Sequence, residues 1–389
     1  MTPRVVVLGA SGFLGATLVA QLAERPVLLR AVARRPAVPP ACSAPAHTEI
    51  RSADLTDRTA LAEAVADADA VVHLVTHRDA QGSWRTRDGD PVAEHTNVTV
   101  LRDLLEILAE RPRSEGAPPP TVLFASTASL DAHEPPPTAP GATPPATAAA
   151  GPLTGYDRQK YAAELALRAA DLAGVVRGVA LRLPTVFGPA VNPRAPDRGV
   201  VSAMVRRALE GEPLTLWADG SLRRNLLPVA DAARGFLAAL DHADRLAGRS
   251  WTLGADRDSS LGEVFEQVAA LVAEYTGRPP VPVHRTAPPT GAATGSDFRD
   301  VRVDAAPFRA VTGWRPLLDT RTALEATVAA LVPPPGAPPP MSTTAAPAAT
   351  PAAEHDLASG NRRARPGEQQ APAAANAPGT ARALGKDSA

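Results

Sequence analysis

Tyr156 and Lys160 are the residues of this chain whose types and spacing most directly suggest chemistry. The sequence has three tyrosines and two lysines, and arginine carries almost all of its positive charge. Lys386 lies in a Pro/Ala-rich tail, so Lys160 is the only lysine in the part expected to fold. Residues four apart on a helix share a face, and an ammonium can change the proton affinity of a neighbouring phenol. The alternative is an exposed pair of no consequence.

Composition and charge exclude several other classes of protein. The net charge of −1 gives no electrostatic case for binding nucleic acid or an anionic membrane. The single cysteine, Cys42, excludes an internal disulfide framework and a cysteine-based metal site, and we expect no metal. No segment approaches the roughly 18 consecutive apolar residues of a membrane span. A soluble, cytoplasmic protein is therefore expected.

The elements that must position the pair follow an alternating pattern in the first half of the chain. Apolar strand runs occur at 5–8, 28–33, 70–75, 122–125 and 178–183. Helical periodicity lies between them, at 14–24, 61–66, 98–109 and 156–173. This order predicts an α/β fold with a doubly wound, parallel Rossmann sheet.

After residue 184 the pattern changes to mixed elements. Helices are expected at 200–209, 231–240 and 261–275, and a strand at 251–253. The sequence therefore predicts a Rossmann domain at 3–184 and a smaller, interleaved C-terminal substrate domain at 185–332. Residues 333–389 are rich in Pro and Ala and cannot bury enough apolar surface to offset their ordering entropy, so a disordered tail is expected.

A glycine-rich turn follows the first strand and opens the first helix. Gly9, Gly12 and Gly15 form a G-x-x-G-x-x-G variant of the dinucleotide fingerprint. Glycine allows a tight turn, a close approach of backbone N–H groups to a pyrophosphate, and packing of the helix on its strand. A purely structural turn is the alternative. The cofactor-binding residues predicted here are Gly9, Ser11, Gly12, Phe13, Leu14 and Gly15.

The end of the second strand predicts which cofactor binds. An NAD-preferring site usually places an Asp or Glu there, about 20 residues after the glycines, to bind the ribose 2′-OH. This strand ends in Ala33, Arg34 and Arg35, and guanidinium groups suit a 2′-phosphate. We therefore predict NADP(H) as the preferred cofactor and NAD(H) as the second choice; two solvated arginines are the alternative reading. Asp54 fits a contact to the adenine amine.

These motifs occur in a fixed order along the chain. The glycine turn is followed by Thr127 after a strand, by Tyr156 and Lys160 on a helix, and by the segment LRLPTVFGP. In this order they resemble the extended short-chain dehydrogenase/reductase family of nucleotide-sugar epimerases, dehydratases and reductases. The resemblance covers roughly residues 3–332.

The resemblance implies roles for individual residues. In the family a Ser or Thr, a Tyr and a Lys form the active site, and the matching positions are Thr127, Tyr156 and Lys160. In the reducing direction Tyr156 would give its proton to a carbonyl oxygen, Thr127 would hydrogen-bond that oxygen, and Lys160 would hold the nicotinamide ribose. A nearby ammonium and the positive charge of the nicotinamide are expected to favour the phenolate and lower the pKa of Tyr156 from about 10. By the same resemblance the cofactor site also includes Leu55, Leu74, Tyr156, Lys160 and Pro184.

The second half of the chain resembles the family's nucleotide-sugar segment. Arg224 takes the position of the family's diphosphate-binding arginine, although Asn225 and Pro228 replace the usual Asp and His. Trp217 lies where the family holds the nucleobase, and a buried core tryptophan is the alternative. Trp84, in the loop after the third strand, is expected beside the sugar, and a surface loop residue is the alternative.

The residues beside Thr127 favour one reaction within the family. The 4,6-dehydratases carry Thr-Asp-Glu, but Ala128 and Ser129 follow Thr127 here, so the acid–base pair for elimination is missing. Epimerases need tightly held NAD, whereas the two arginines favour exchangeable NADPH and a net reduction. Stretches such as DRGVVSAMVRRALEGEPLTLW look like the actinomycete TDP-4-keto-6-deoxyhexose 4-ketoreductases of antibiotic deoxysugar pathways. Reduction of the C4 ketone of a TDP-linked deoxysugar is therefore expected.

Two other readings stay open. One is a different nucleotide-sugar reductase or epimerase of the same fold, acting at C3 or on another substrate. The other is an NADP(H)-binding sensor that performs no chemistry. Family members are often dimers, so a homodimer is compatible with the resemblance, and no nucleic-acid or membrane partner is expected.

Overall fold

Strands and helices alternate along the part of the chain that the structure describes. The computed structural model describes residues 2–39, 47–79, 88–132, 153–217, 220–287, 300 and 303–332. The strands, in chain order, are β1 (Arg4–Leu8), β2 (Leu28–Ala33), β3 (His47–Ser52), β4 (Ala70–His73), β5 (Thr121–Thr127), β6 (Arg177–Leu183), β7 (Thr185–Phe187), β8 (Leu214–Trp217), β9 (Arg223–Pro228), β10 (Arg249–Thr252), β11 (Asp258–Ser260) and β12 (Val283–Thr286). The helices are α1 (Phe13–Ala23), α2 (Arg58–Val65), α3 (Pro91–Glu94), α4 (Val100–Glu110), α5 (Gly155–Leu172), α6 (Val200–Glu210), α7 (Val229–Asp241), α8 (Ala243–Leu246), α9 (Leu261–Thr276), α10 (Ala306–Thr312) and α11 (Thr320–Leu331). A π-helical turn, His95–Thr99, joins α3 to α4, and a 3-10 turn, Ala128–Ala132, follows β5.

The main sheet of the described residues has seven strands in the order β3-β2-β1-β4-β5-β6-β10. All of its neighbouring strands run parallel. The order reverses direction between β1 and β4, and ligands of doubly wound sheets bind at the carboxyl ends of the strands beside such a reversal. The predicted doubly wound parallel sheet is therefore confirmed.

Side chains on β1 alternate between two hydrophobic cores. Val5 and Val7 belong to a core shared with α1 and α7, whereas Val6 and Leu8 belong to one shared with α2, α4 and α5. Because helices cover both faces of the sheet, a strand can be apolar at successive positions. This is why an uninterrupted apolar run predicted a buried strand correctly.

The second half of the chain forms a core of its own and also contributes to the main sheet. β7, β9 and β11 form a three-stranded sheet, and β8 pairs with β12. Phe187, Leu216, Phe265 and Leu324 belong to a third hydrophobic core, which includes residues of α6, α9 and α11. β10, from the same half, pairs with β6 in the main sheet. The two halves therefore interleave, and the exact boundary after residue 184 stays a prediction.

One strand of the main sheet, β3, escaped the sequence prediction. β3 lies at the edge of the sheet, and Ile50 is the only apolar residue in its sequence, HTEIRS. Arg30 on the neighbouring strand is 4% exposed, and it donates hydrogen bonds of 2.7 Å to Glu49 and to Asp67. An edge strand held by ion pairs shows little apolar alternation, so its sequence resembles that of a loop.

The helix predicted from Val98 begins earlier, at Pro91. The side chain of Asp90 accepts hydrogen bonds from the N–H groups of Val92, at 3.0 Å, and Ala93, at 3.1 Å. An acidic cap followed by proline is a recognised helix start. The π-helical turn between α3 and α4 shifts the apolar periodicity, so the pattern predicted only the second part of this helix.

Some sequence predictions lie outside the described residues. These are the role of Trp84, most of the Pro-rich loop before Tyr156, and the disordered tail at 333–389. Within the described ranges, no helix combines the length and the apolar character needed to cross a bilayer.

Candidate active site

The carboxyl ends of β1, β2, β4, β5 and β6 open into one cleft of about 1110 Å3. The predicted cofactor residues that line it are Gly9, Ser11, Gly12, Phe13, Leu14, Gly15, Arg34, Arg35, Asp54, Leu55, Leu74 and Pro184. Thr127, Tyr156, Lys160 and Arg224 line the same cleft. The fold therefore gathers residues that are as much as 215 positions apart in the chain, and their individual roles stay predictions.

The turn between β1 and α1 provides an anion-binding surface. Gly9 has a φ of +88°, in the left-handed region that favours glycine. A Cβ on Gly15 would collide with the carbonyl oxygen of Gly9. Gly12 occupies the N-cap of α1 and has no side chain to bond the N–H groups of the first turn. Those N–H groups and the helix dipole suit a phosphate, so the turn fits the pyrophosphate of a dinucleotide.

Arg34 and Arg35 follow β2 and are exposed at the cleft. Asp54, which follows β3, lies close to Arg34. Hydrogen bonds from the N–H and hydroxyl of Thr56 lower the pKa of Asp54, and the positive charges of Arg34 and His95 add to this effect. A carboxylate therefore does lie near Arg34, but it follows β3 and not β2.

Lys160 is a buried cation, with 1% of its surface exposed. Its Nζ donates to the carbonyl oxygen of Ala125 at 2.9 Å and to Oγ1 of Thr76 at 3.2 Å. It also lies 4.6 Å from the ring centroid of Phe124 and 5.6 Å from that of Tyr156. Burial lowers the pKa of Lys160 from 10.5 to about 7, although the carboxylate of Glu164 opposes the change.

Replacing Lys160 by Met is expected to stabilise the fold most at low pH. A lysine whose pKa falls on folding destabilises the folded state wherever the unfolded lysine is charged. That cost is complete below about pH 7 and disappears as the pH rises to 10.5. The gain in free energy of unfolding should therefore shrink across this window, as measured by urea denaturation. Arg321→Met, which removes an exposed cation from α11, is the control, and an equal pH trend in both variants would contradict the burial of charge at Lys160.

The phenol of Tyr156 differs from its sequence-based expectation. Its pKa is raised, not lowered, because burial penalises the phenolate and the adjacent Asp157 carboxylate repels it; Arg78 opposes the change. Nζ of Lys160 lies 5.6 Å from the ring centroid, and burial is the largest cause of the raised pKa. The phenol of Tyr156 therefore stays protonated through the neutral range.

A chain of hydrogen bonds leads from Thr127 into the helix that carries Tyr156. Oγ1 of Thr127 and Oγ of Ser129 are 2.8 Å apart, and Ser129 donates to Oδ1 of Asp157 at 2.5 Å. Oδ2 of Asp157 accepts from the hydroxyl of Thr154 at 2.7 Å and from its N–H at 3.2 Å. A carboxylate is therefore linked to Thr127 through Ser129, although the two residues after Thr127 are not acidic.

A buried amide ties the cleft wall to the same helix. Asn97, in the π-helical turn, accepts from the N–H of His77 at 2.7 Å and donates to Oε1 of Gln159 at 2.7 Å. His77 directly follows Thr76, and Gln159 directly precedes Lys160. The amide of Asn97 therefore links the loop that carries Thr76 to the helix that carries Lys160, the residue that Thr76 contacts.

The substrate side of the cleft is built partly from β9. Arg224 lines the cleft, and its Nη1 donates to the carbonyl oxygen of Arg223 at 2.9 Å. The buried Asn225 donates from Nδ2 to Oδ1 of Asp258 at 2.9 Å. An Asp in place of Asn225 would face that carboxylate, which accounts for this departure from the family's pattern.

Trp217 does not line the cleft. It ends β8, is partly buried, and pairs with Thr286 on β12. Leu216, beside it, is 2% exposed in the third hydrophobic core. The nucleobase role of Trp217 stays a prediction.

Several cleft-lining residues were not singled out from the sequence. Those with polar side chains are Thr56, Thr76, Arg78, Asp79, Thr96, Thr154, Asp157, Arg194, Asp197 and Arg198. One signal was available: Thr154 and Asp157 form a capping box at the start of α5, with the spacing of that motif. Recognising it would have placed a carboxylate beside Tyr156. The others depend on tertiary contacts.

The geometry can be compared with known proteins. Residues 5–254 match the family described as "NAD dependent epimerase/dehydratase family". The chain belongs to this family. Membership confirms the resemblance predicted from the glycine turn, the Tyr/Lys pair and the strand segment after them.

Two relatives within the family illustrate its range. The chain is 28% identical over 324 residues to dTDP-6-deoxy-L-talose 4-dehydrogenase (NAD(P)(+)) of Kitasatospora kifunensis, covering 82% of this chain and 93% of the relative. It is 28% identical over 182 residues to dTDP-glucose 4,6-dehydratase of Neisseria gonorrhoeae. That second match covers 46% of this chain and only half of the relative's length.

Solved structures of family members share the fold. UDP-glucose 4-epimerase of Thermotoga maritima, solved with UDP-glucose, superposes with a TM-score of 0.64 at 22% identity, covering 84% of this chain and 98% of the other. UDP-glucuronic acid 4-epimerase of Bacillus cereus, solved with UDP-glucuronic acid and NAD, gives a TM-score of 0.64 at 20% identity with the same coverage. At these identities the likeness concerns the fold.

Proposed function

We propose that this protein reduces the C4 ketone of a TDP-4-keto-6-deoxyhexose with NADPH. The observation that carries the proposal is the lining of the cleft. Thr127, Tyr156 and Lys160 share it with the glycine turn and with two arginines at the end of β2. A carbonyl placed between Tyr156 and the cofactor side of the cleft would meet a proton donor.

The residues present fit a dinucleotide. The uncapped first turn of α1 suits its pyrophosphate. Arg34 and Arg35 suit a 2′-phosphate, and Lys160 would hold the nicotinamide ribose. When bound, the reduced dinucleotide supplies the hydride for the carbonyl carbon and is itself oxidised.

The chain's own part in the reaction is to move one proton. Tyr156 gives the proton of its Oη to the carbonyl oxygen, so the ketone becomes an alcohol and the tyrosine a phenolate. The raised pKa of Tyr156 keeps the phenol protonated through the neutral range, so the phenol has a proton to give. The ammonium of Lys160, whose Nζ lies 5.6 Å from the ring centroid, stabilises the phenolate that this transfer leaves.

A relative supports the choice of substrate and of reacting carbon. The Kitasatospora kifunensis relative, which matches over 82% of this chain, is named for dehydrogenation at C4 of a TDP-linked 6-deoxy sugar. Dehydrogenation at C4 is the reverse of reducing a C4 ketone. The lack of an acidic residue at 128 and 129 supports a reductase over a 4,6-dehydratase.

The proposal is tested by turnover. The purified protein is incubated with enzymatically made TDP-4-keto-6-deoxy sugars, and with TDP-3-keto sugars, in the presence of NADPH. Loss of NADPH with the 4-keto compounds, together with a new C4 alcohol identified by NMR, is expected. Turnover of the 3-keto sugars alone would assign a C3 reductase, and cofactor binding without any turnover would favour a sensor.

Replacing both Arg34 and Arg35 by Ala is expected to change the cofactor preference. Hydrogen bonds to a charged group contribute about 1.5–3 kcal/mol, so the ratio of kcat/KM for NADPH over NADH should fall by about 10- to 100-fold. Steady-state kinetics with both cofactors measure it. Arg102→Ala, on the exposed side of α4, is the matched control. An unchanged ratio in the double variant would remove the case for NADPH.

A further inference from the structure

The Asp157 carboxylate, two hydrogen bonds away, determines in which direction the hydroxyl of Thr127 donates its proton. Asp157 is 5% exposed and sits in the first turn of α5, next to Tyr156. One of its carboxylate oxygens faces Ser129 and the other faces Thr154. Each neighbour therefore donates to its own carboxylate oxygen.

The carboxylate of Asp157 sets the direction of the hydrogen bonds that link it through Ser129 to Thr127. A carboxylate only accepts, so Ser129 must use its single proton on Oδ1 of Asp157. Oγ of Ser129 can then only accept from Thr127, 2.8 Å away. The N–H of Ser129 also donates to Oγ1 of Thr127 at 3.3 Å. Thr127 is left with one lone pair for the cleft, and its proton is directed to Ser129.

We propose that Asp157, acting through Ser129, makes Thr127 a hydrogen-bond acceptor toward the cleft and thereby favours the alcohol form of the sugar over the ketone form. This inference rests on the proposed function, because it concerns the oxygen that Tyr156 protonates. An alcohol can donate its O–H to the free lone pair of Thr127. A ketone oxygen can only accept, so Thr127 must first give up its bond to Ser129. Asp157 and Ser129 are positioning residues that bias the bound equilibrium toward the reduced product.

Asp157→Asn should reverse the direction of these hydrogen bonds while keeping a side chain of the same shape. Thr154 presents a backbone N–H, which cannot become an acceptor, so the amide oxygen must remain on that side. The amide NH2 then faces Ser129 and donates to it. Ser129 turns its proton to Thr127, and Thr127 donates into the cleft. The variant is therefore expected to hold the ketone more tightly and the alcohol less tightly.

Two quantities measure this bias: KM for the ketone and the inhibition constant of the alcohol product. In Asp157→Asn the ketone gains one hydrogen bond and the alcohol loses one. The ratio of the inhibition constant of the alcohol to the KM of the ketone should therefore rise by about tenfold. Ser129→Ala frees the Thr127 hydroxyl to rotate, so the same ratio should rise by about threefold. Glu263→Gln is the matched control, because it changes the carboxylate of a second capping box, at the start of α9 and outside the cleft.

The outcomes separate the inference from the proposed function. The inference is supported if Asp157→Asn lowers the KM of the ketone and raises the inhibition constant of the alcohol. Ser129→Ala should change their ratio in the same direction, and Glu263→Gln should leave it unchanged. Equal weakening of ketone and alcohol would mean that Asp157 only supports the helix, and it would overturn the inference while leaving the reductase in place. If the unaltered protein turns over no keto sugar, the proposed function fails and the inference fails with it.

Discussion

Tyr156→Phe is expected to lower kcat for ketone reduction by about 100- to 10,000-fold, the range that general acid–base groups contribute. The substitution removes only the phenolic oxygen, so the proton must come from water or from a less well-placed group. The affinity for the cofactor should change little, because the ring remains. Single-turnover kinetics, followed by NADPH absorbance, separate the chemical step from binding.

The chain offers a matched control for this variant. Tyr161 lies on the same helix, is 38% exposed, and does not line the cleft. Tyr161→Phe should keep near-full activity. Near-full activity in Tyr156→Phe as well would show that the catalytic assignment is wrong.

Glu164→Ala is expected to destabilise the protein by about 3–5 kcal/mol, the range for breaking one side of a buried ion pair. Arg182 donates to Glu164 from Nε at 3.0 Å and from Nη2 at 2.6 Å. Both side chains are at most 5% exposed. Ser126 and Ser250 also donate to this carboxylate, so the variant leaves a buried guanidinium and two hydroxyls to find new partners. Guanidinium chloride denaturation followed by circular dichroism measures the loss.

A surface pair provides the comparison. Glu325 accepts from Arg321 at 2.9 Å on α11, and both side chains are well exposed. Glu325→Ala should cost less than about 1 kcal/mol, because exposed ion pairs are screened and hydrated. If the two variants lost equal stability, Glu164 could not be a buried counter-charge. Part of the positive charge of Arg182 would remain paired with Asp131, which places the expected loss for Glu164→Ala toward the lower end of its range.

The sequence predicted the main sheet well and its edges poorly. The strand at 28–33 has the predicted bounds, and α5 differs from its prediction by one residue at each end. Both have strong patterns, because buried parallel strands are continuously apolar and long helices repeat every 3.6 residues. Most of the short strands of the second half escaped prediction because few residues carry each pattern. β3 escaped prediction because it is held by an ion pair between its Glu49 and Arg30 of β2, which also pairs with Asp67. The sequence of β3 does not reveal this pairing.

The catalytic candidates were predictable because each depends on local chemistry. A glycine turn, a tyrosine and lysine one helical turn apart, and a threonine at a strand end can be recognised without knowing their neighbours. Their pKa values could not be predicted in the same way. The expected lowering of the Tyr156 pKa relied on the ammonium of Lys160 and the charge of the nicotinamide, whereas in the protein itself burial and the Asp157 carboxylate raise that pKa.

The Tyr156–Lys160 pair, the glycine turn and the family follow from the sequence by itself, because helix spacing and backbone freedom are properties of nearby residues. Only the tertiary structure decided that Thr127 is joined to Asp157, because those residues are 30 positions apart and meet where α5 packs against β5. The sequence segment after Thr127 contains no adjacent acid, yet folding brings a carboxylate to it from another helix. Hydrogen-bond direction along that contact depends on three side chains from three elements, so no local pattern could have shown it.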